Sequence, residues 1–244
     1  MSENESATNT DQSRRVREMF AAIAARYDLL NHLLSGNIDK RWRRLVAATL
    51  YQALPGGEAR ILDVACGTGD LSLTLAGKAS GKTQIVGVDF CRPMLEIAAA
   101  KSLNLGAAIP FIEADALALP FRDRTFDGVT IAFGLRNLAS VESGLVELLR
   151  VLKPGASVAV LEFSKPKYAV FRGLFRIYFT RLLPFVGGLI SGSKGAYQYL
   201  PDSVSRFPDQ SQLLLLMREA GFEQVTYKNL TGGIAALHLG RRPQ

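Results

Sequence analysis

From about residue 59 onward, short apolar runs alternate with stretches whose apolar residues recur at helical spacing. The segment "ARILDVA", 59–65, is a compact apolar strand that ends in the glycine turn "CGTGD". "LSLTLAGKA" then reads as a helix and "QIVGVDF" as a second strand with Asp89 near its end. "RPMLEIAAAK" is a helix with Pro93 in its first turn, where the missing amide hydrogen is tolerated. "IPFIEAD" is a third strand finishing on Asp115, "FDGVTIAF" a fourth, "VESGLVELLRVL" a helix and "GASVAVLEF" a fifth strand. Alternation of this length predicts a doubly wound, mostly parallel sheet between helices. A late helix, "PDQSQLLLLMREAGF", has Gly221 as its C-terminal stop, and "QVTYKNL" and "IAALHLG" form a closing antiparallel pair joined at "TGG".

Two segments break that rhythm. Residues 13–54 are helical before the sheet begins, with Val16, Phe20, Ile23 and Tyr27 on one stripe, and residues 168–205 are inserted after strand five. Both are placed over the carboxyl edge of the sheet as a lid. Residues 1–12 are polar, lack the apolar core of a secretory signal, and read as a disordered tail ahead of a single domain over 13–244. Within the insertion, Phe171, Phe175, Tyr178, Phe179 and Leu182 form a helical stripe flanked by Arg172 and Arg176. That stripe is either a core-packed helix or a basic amphipathic lid in peripheral contact with a membrane through 168–190. No apolar run approaches the ~20 residues of a membrane span.

Composition adds little. Lys plus Arg is 29 against 22 Asp plus Glu, a net +7 that mildly favours nucleic acid, anionic lipid or an acidic ligand. Cys66, Cys91, His32 and His238 have no metal-ligand spacing, so no metal and no disulfide framework is expected, and a reducing cytoplasm is the expected compartment.

The chemistry concentrates at strand ends. Gly67 and Gly69 sit in a strand-to-helix turn, where glycine permits positive φ and close backbone approach. A tight turn with no ligand is the bland alternative. Asp63 ends strand one, Asp70 opens the next helix, and Asp89 ends strand two, where an acid can accept both hydroxyls of a ribose. Asp70 alone could serve the helix dipole, and Asp89 could be a solvated strand-end acid. A dinucleotide would set its pyrophosphate against Asp63 and Asp70 and be repelled. S-adenosyl-L-methionine has no phosphate and carries an ammonium and a sulfonium, which carboxylates attract. Asp115 can accept from the adenine amino group. This is the pattern of a class I S-adenosylmethionine-dependent methyltransferase, a Rossmann-like α/β sheet.

Further stretches narrow the match. "YDLLNHLLSGNIDKRW" (27–42), "FGLRN" (133–137), "RVLKPGASVAVLEFS" (150–164), "YQYLPDSVSRFPDQ" (197–210) and "TGGIAALHLG" (231–240) resemble the quinone C-methyltransferases of menaquinone and ubiquinone biosynthesis, over nearly all of 14–242. The first signature usually has a histidine where this chain has Asp39. The resemblance implies cofactor contacts at Thr68, at Asp89 on the ribose, and at Asp115 with Ala116 at the adenine. Ubiquinone-branch members often have a cofactor-contacting serine where this chain has Ala132, which favours the menaquinone branch.

The implied reaction methylates a ring carbon of a polyprenyl hydroquinone, demethylmenaquinol first, with a ubiquinone precursor second. A phenol ionises near pH ~10, so the site must favour the phenolate. Arg136 by charge and Asn137 by hydrogen bonding suit that role. A solvent-exposed loop arginine is the alternative. Three rivals share part of the pattern: a methyltransferase for another small phenolic or lipid-like molecule, a nucleic-acid-modifying enzyme, and a non-catalytic scaffold. No appended RNA-binding module is present, so nucleic acid is not expected as a partner. A homodimer is left open, as is attachment to the inner face of the cytoplasmic membrane.

Overall fold

A computed structural model describes residues 3–54, 56, 58–79, 82–166, 173 and 194–244, the side chains of 3–13 and 194–198 excepted. The aromatic stripe over 171–182, read above as either a core-packed helix or a lid, lies outside the described residues.

Seven strands form one sheet, in the order β3-β2-β1-β4-β5-β7-β6. They are β1 (Arg60–Val64), β2 (Gln84–Asp89), β3 (Phe111–Glu113), β4 (Phe126–Ala132), β5 (Leu152–Phe163), β6 (Glu223–Leu230) and β7 (Ala235–Arg241). The first five pair in parallel; β7 is antiparallel to both β5 and β6. The order reverses between β1 and β4, which opens a crevice at the carboxyl ends of those two strands. Strand five starts at Leu152, earlier than its apolar run suggests, because Leu152 pairs with Phe126 ahead of a register shift.

Alternate residues of the central strands serve opposite faces. Leu62, Val64, Val88, Val129, Ile131, Val158 and Val160 join one core with α5 (Val141–Val151) and α7 (Gln210–Glu219). Ile61, Ile85, Ala159 and Leu161 join the other, under Trp42, Val46 and Leu50 of α2 (Ile38–Ala53) and Leu71 and Leu75 of α3 (Asp70–Ala76). Burial on both faces explains why these strands read as unbroken apolar runs. Helix α5 is capped by the Ser140 hydroxyl, which accepts from the Ser143 amide at 3.0 Å. A reciprocal box of Asp209 and Gln212 caps α7. Gly221, with φ +102°, follows the last turn of α7 as expected.

The N-terminal helices divide the role given to them together. Helix α1 (Glu3–Leu34) runs along the carboxyl edge and against α4 (Arg92–Asn104), whereas α2 covers a sheet face. α1 begins inside the segment assigned to a disordered tail: the stretch before Val16, the first buried residue among its described side chains, contains neither glycine nor proline, so packed turns downstream propagate outward. Helix α6 (Lys194–Arg206) follows the insertion. Among the described residues, no helix is long and apolar enough to cross a membrane.

Gly134 marks the tightest contact between strand ends. A Cβ there would lie 2.4 Å from the Cβ of Ala65, the residue after β1. Replacing Gly134 with alanine is expected to lower unfolding stability by about 2 kcal/mol, as overpacking does. Urea denaturation of Gly134→Ala checks this, and an unchanged midpoint would contradict it.

Candidate active site

The crevice at the switch point holds two adjoining cavities, of about 300 Å³ and about 80 Å³. Phe20, Tyr27, Ala65, Gly67, Ala132 and Phe133 line both. Ala65 and Phe133 follow β1 and β4 and hold φ of +52° and +58°, a left-handed backbone that is unfavourable for residues with side chains. The surrounding sheet imposes it, and it turns both chains sharply away from the strand ends.

The glycine turn builds the smaller cavity. Asp89 is 6% exposed, and its two oxygens accept from the Gly67 amide at 2.8 Å and the Cys91 amide at 2.9 Å. Burial raises its pKa, against these backbone hydrogen bonds. Each carboxylate oxygen retains a lone pair for a further donor. Two residues beyond β3, Asp115 accepts from the Leu117 amide at 2.8 Å, and Ala116 lies buried beside it. Gly69 caps α3 at φ +81°, where a Cβ would lie 2.9 Å from that of Ala98.

Asp63 lies beneath the turn, 1% exposed, accepting from the Ser72 hydroxyl at 2.6 Å and the Thr130 hydroxyl at 2.7 Å. Burial pushes its pKa up to about 6, with the two hydroxyls opposing. It lines the larger cavity, yet both oxygens are already used inside the fold. The Thr68 hydroxyl, expected at the cofactor, donates to Asp28 of α1 at 2.5 Å.

A collar of charges ties α1, α2 and α4 to the start of α3. Lys101 donates to Asp28 at 2.8 Å and to Asp70 at 2.5 Å. Arg43 bonds Asp39 and stands 3.4 Å from Asp70. His32 Nδ1 is 2.8 Å from Asp39, so a histidine meets this position from α1 although the expected signature histidine at 39 is absent. Burial works against the charge on Asp39, but the Ser35 hydroxyl and Arg43 hold its carboxyl below the usual range. His32, Asp39 and Asp70 bring ligand atoms within 4.8 Å of one another. Arg43 and Lys101 already neutralise those carboxylates, so a metal ion would have to displace a resident cation.

Arg136 and Asn137 do not line one cavity as a pair. They lie in a short 3-10 turn, Leu135–Asn137, and line different cavities: Arg136 the larger and Asn137 the smaller. Asn137 donates to the Phe133 carbonyl at 3.2 Å and accepts from the Tyr199 hydroxyl at 3.2 Å. Arg136 is not a free cation. Its Nη1 donates to Glu162 at 2.8 Å and to the Phe133 carbonyl at 2.6 Å. Its guanidinium carbon is 5.1 Å from the centroid of the Phe163 ring. Glu162 stands in the quoted "VLEFS", and a lone acid inside an apolar strand was the signal that a buried partner had to exist.

The donor set fits a nucleoside better than a phosphate. The described lining of the smaller cavity contains Asp89 and Asp115 and neither lysine nor arginine. The larger cavity is mostly apolar, with Met19, Ile23, Leu34, Trp42, Phe163 and Ile234 in its wall.

Comparison with known proteins identifies the family. The model of the ubiE/COQ5 methyltransferase family matches residues 8–242. The chain is 53% identical to a demethylmenaquinone methyltransferase of Thermus thermophilus over 92% of this chain and 100% of the relative. It is 43% identical to a ubiquinone/menaquinone biosynthesis C-methyltransferase UbiE of Geotalea uraniireducens, over 96% and 98%. Among solved structures, the [4+2]-cyclase SpnF superposes with a TM-score of 0.70 at 20% identity, covering 95% of this chain and 96% of that one. A SAM-dependent methyltransferase from Aquifex aeolicus superposes at 0.59 and 20% identity, over 80% and 88%. The structural likenesses establish the fold: a class I methyltransferase sheet.

The raised pKa of Asp63 has a definite sign in stability. The folded protein holds a proton on Asp63 up to about pH 6, while the unfolded chain releases it near the ordinary 3.8. This group's stabilising contribution is therefore complete below the unfolded value and is lost as pH rises through about 6. Relative to wild type, Asp63→Asn is expected to gain about 1 kcal/mol between pH 5 and pH 7. Urea unfolding at the two pH values measures this; a constant difference would contradict it.

Proposed function

We propose that this chain, which belongs to the ubiE/COQ5 methyltransferase family, uses S-adenosyl-L-methionine to methylate a ring carbon of a polyprenyl hydroquinone, with demethylmenaquinol as the substrate. One observation carries the reading: a nucleoside pocket with two carboxylates, and neither lysine nor arginine in its described lining, opens beside a larger, mostly apolar chamber whose wall includes the guanidiniums of Arg136 and Arg43. The names of the relatives support the same substrate class, and Ala132 in place of the ubiquinone-branch serine supports the menaquinone branch.

In this reading Asp89 accepts the ribose hydroxyls, held in place by the Gly67 and Cys91 amides. Asp115 and Ala116 border the adenine. Gly67, Thr68 and Gly69 allow the methionine arm to pass close to the backbone, while Asp63 fixes the turn from below through Ser72 and Thr130. When bound, the cofactor supplies an electrophilic methyl group on a sulfonium.

The substrate side follows from the nucleophile. A ring carbon attacks well only when the neighbouring hydroxyl gives up its proton, and a free phenol does so near pH ~10. Arg136 stabilises the resulting oxyanion by a charge-assisted hydrogen bond from a guanidinium already fixed by Glu162 and Phe133. Asn137 acts one step back: it holds the Phe133 carbonyl and Tyr199 rather than the ring oxygen. The apolar wall from Met19 to Trp42 keeps water from the acceptor carbon. The cofactor, held at Asp89, Asp115 and the Gly67–Gly69 turn, would give its methyl group to that ring carbon and be left as a thioether, and the ring C–H proton would pass to water, which restores aromaticity. The prenyl tail calls for an apolar path to lipid, and the stripe at 171–182 has the composition for peripheral membrane contact.

With methyl-labelled cofactor and a reduced demethylmenaquinol analogue, label is expected on ring carbon. Label on oxygen, or none on any quinol, would overturn the reading. Arg136→Ala is expected to lower kcat by about 100-fold or more while affinity for the uncharged product S-adenosylhomocysteine changes by a small factor. Steady-state kinetics with calorimetric binding separates the two, and equal loss of both would remove Arg136 from the substrate side.

A further inference from the structure

We infer that Glu162 is a positioning residue that cancels the charge of Arg136, so that one chamber, whose wall also carries Arg43 already bonded to Asp39, accepts both the Arg136 guanidinium and the sulfonium of the cofactor. The inference rests on the placement of the cofactor's methionine arm against Gly67 and Thr68 proposed above.

Four observations carry it. Glu162 is 1% exposed and is absent from the described walls of both cavities, so it touches neither ligand. Its carboxylate is spent on this turn: Oε1 accepts from the Arg136 amide at 3.1 Å, and Oε2 accepts from Arg136 Nη1 at 2.8 Å and from the Phe163 amide at 3.0 Å. The Arg136 side chain is 6% exposed and lines the larger cavity with Gly67 and Thr68. Its Nε is buried with no hydrogen-bond partner among the described residues. The cavity therefore meets the cation, and the carboxylate lies behind it, between β5 and the turn after β4.

That order has an electrostatic consequence. A single uncompensated guanidinium in a chamber of low dielectric would repel a sulfonium strongly, because such charges interact far more there than in water. With Glu162 behind it, Arg136 presents hydrogen-bond donors at nearly zero net charge. S-adenosylhomocysteine, which remains after the methyl group leaves, has a neutral thioether. Glu162 therefore governs the balance between the charged cofactor and its neutral product rather than affinity for the nucleoside.

Calorimetric titration of the full chain with S-adenosylmethionine and with S-adenosylhomocysteine tests the inference. Glu162→Gln is expected to weaken binding of the charged ligand on the order of tenfold relative to the neutral one. Glu162→Asp is expected to keep the wild-type ratio. Arg136→Met leaves the anion uncompensated and is expected to move the ratio the opposite way, which preserves the test if Glu162→Gln does not fold. The paired change Arg136→Met with Glu162→Leu is expected to bring the ratio back toward wild type. A common factor for both ligands in every variant would reduce Glu162 to a structural residue and overturn the inference. Asp89→Ala in the same assay keeps the two ideas apart. Unchanged affinity there refutes the placement of the cofactor. Weakened affinity, with a ratio unmoved by Glu162→Gln, refutes charge cancellation alone.

Discussion

A guanidinium that is 6% exposed needs a counter-charge, and the carboxylate of Glu162 supplies it from 2.8 Å away. That contact links the end of β5 to the turn after β4 and sets the chemistry of the chamber in front of it. It is possible only because β4 and β5 are parallel neighbours in register from Gly128 to Ala132, which brings their carboxyl ends together. Gly134 lets the same turn lie against Ala65 after β1. The strands thus deliver a neutralised cation, an apolar wall and the glycine turn to one crevice.

On the nucleoside side, charge is arranged by exclusion. Asp89 and Asp115 face a small cavity whose described lining contains no lysine or arginine, which suits a ribose and an adenine and resists phosphate. The available cations are used elsewhere. Lys101 and Arg43 neutralise Asp28, Asp39 and Asp70 in the collar that binds α1 to α3. Thr68 is held by that collar through Asp28, so the helix over the crevice and the turn beneath it are mechanically one unit.

Strand order along the first five elements was legible because each strand is buried on both faces and each ends on a turn residue or an acid. Asp63, Asp89 and Asp115 could be placed for the same reason. Pairings between distant segments were not legible. Glu162, an acid in an apolar strand, was not singled out, and nothing local named Arg136 as its partner, so the arginine read as an open cation. Arg136 and Asn137 are adjacent in sequence and yet diverge into two cavities, because the 3-10 turn that carries them rotates successive side chains apart. The polar start of the chain lacked apolar spacing, and its helix continues from turns downstream that are packed from Val16 among the described side chains.

The most direct test of the account is a crystal structure with S-adenosylhomocysteine and a short-chain naphthoquinol. The ribose hydroxyls are expected within hydrogen-bond distance of Asp89, and the quinol oxygen at Arg136 with the Glu162 contact intact. A nucleoside seated away from Asp89, or Arg136 released from Glu162 and turned from the quinol, would contradict it.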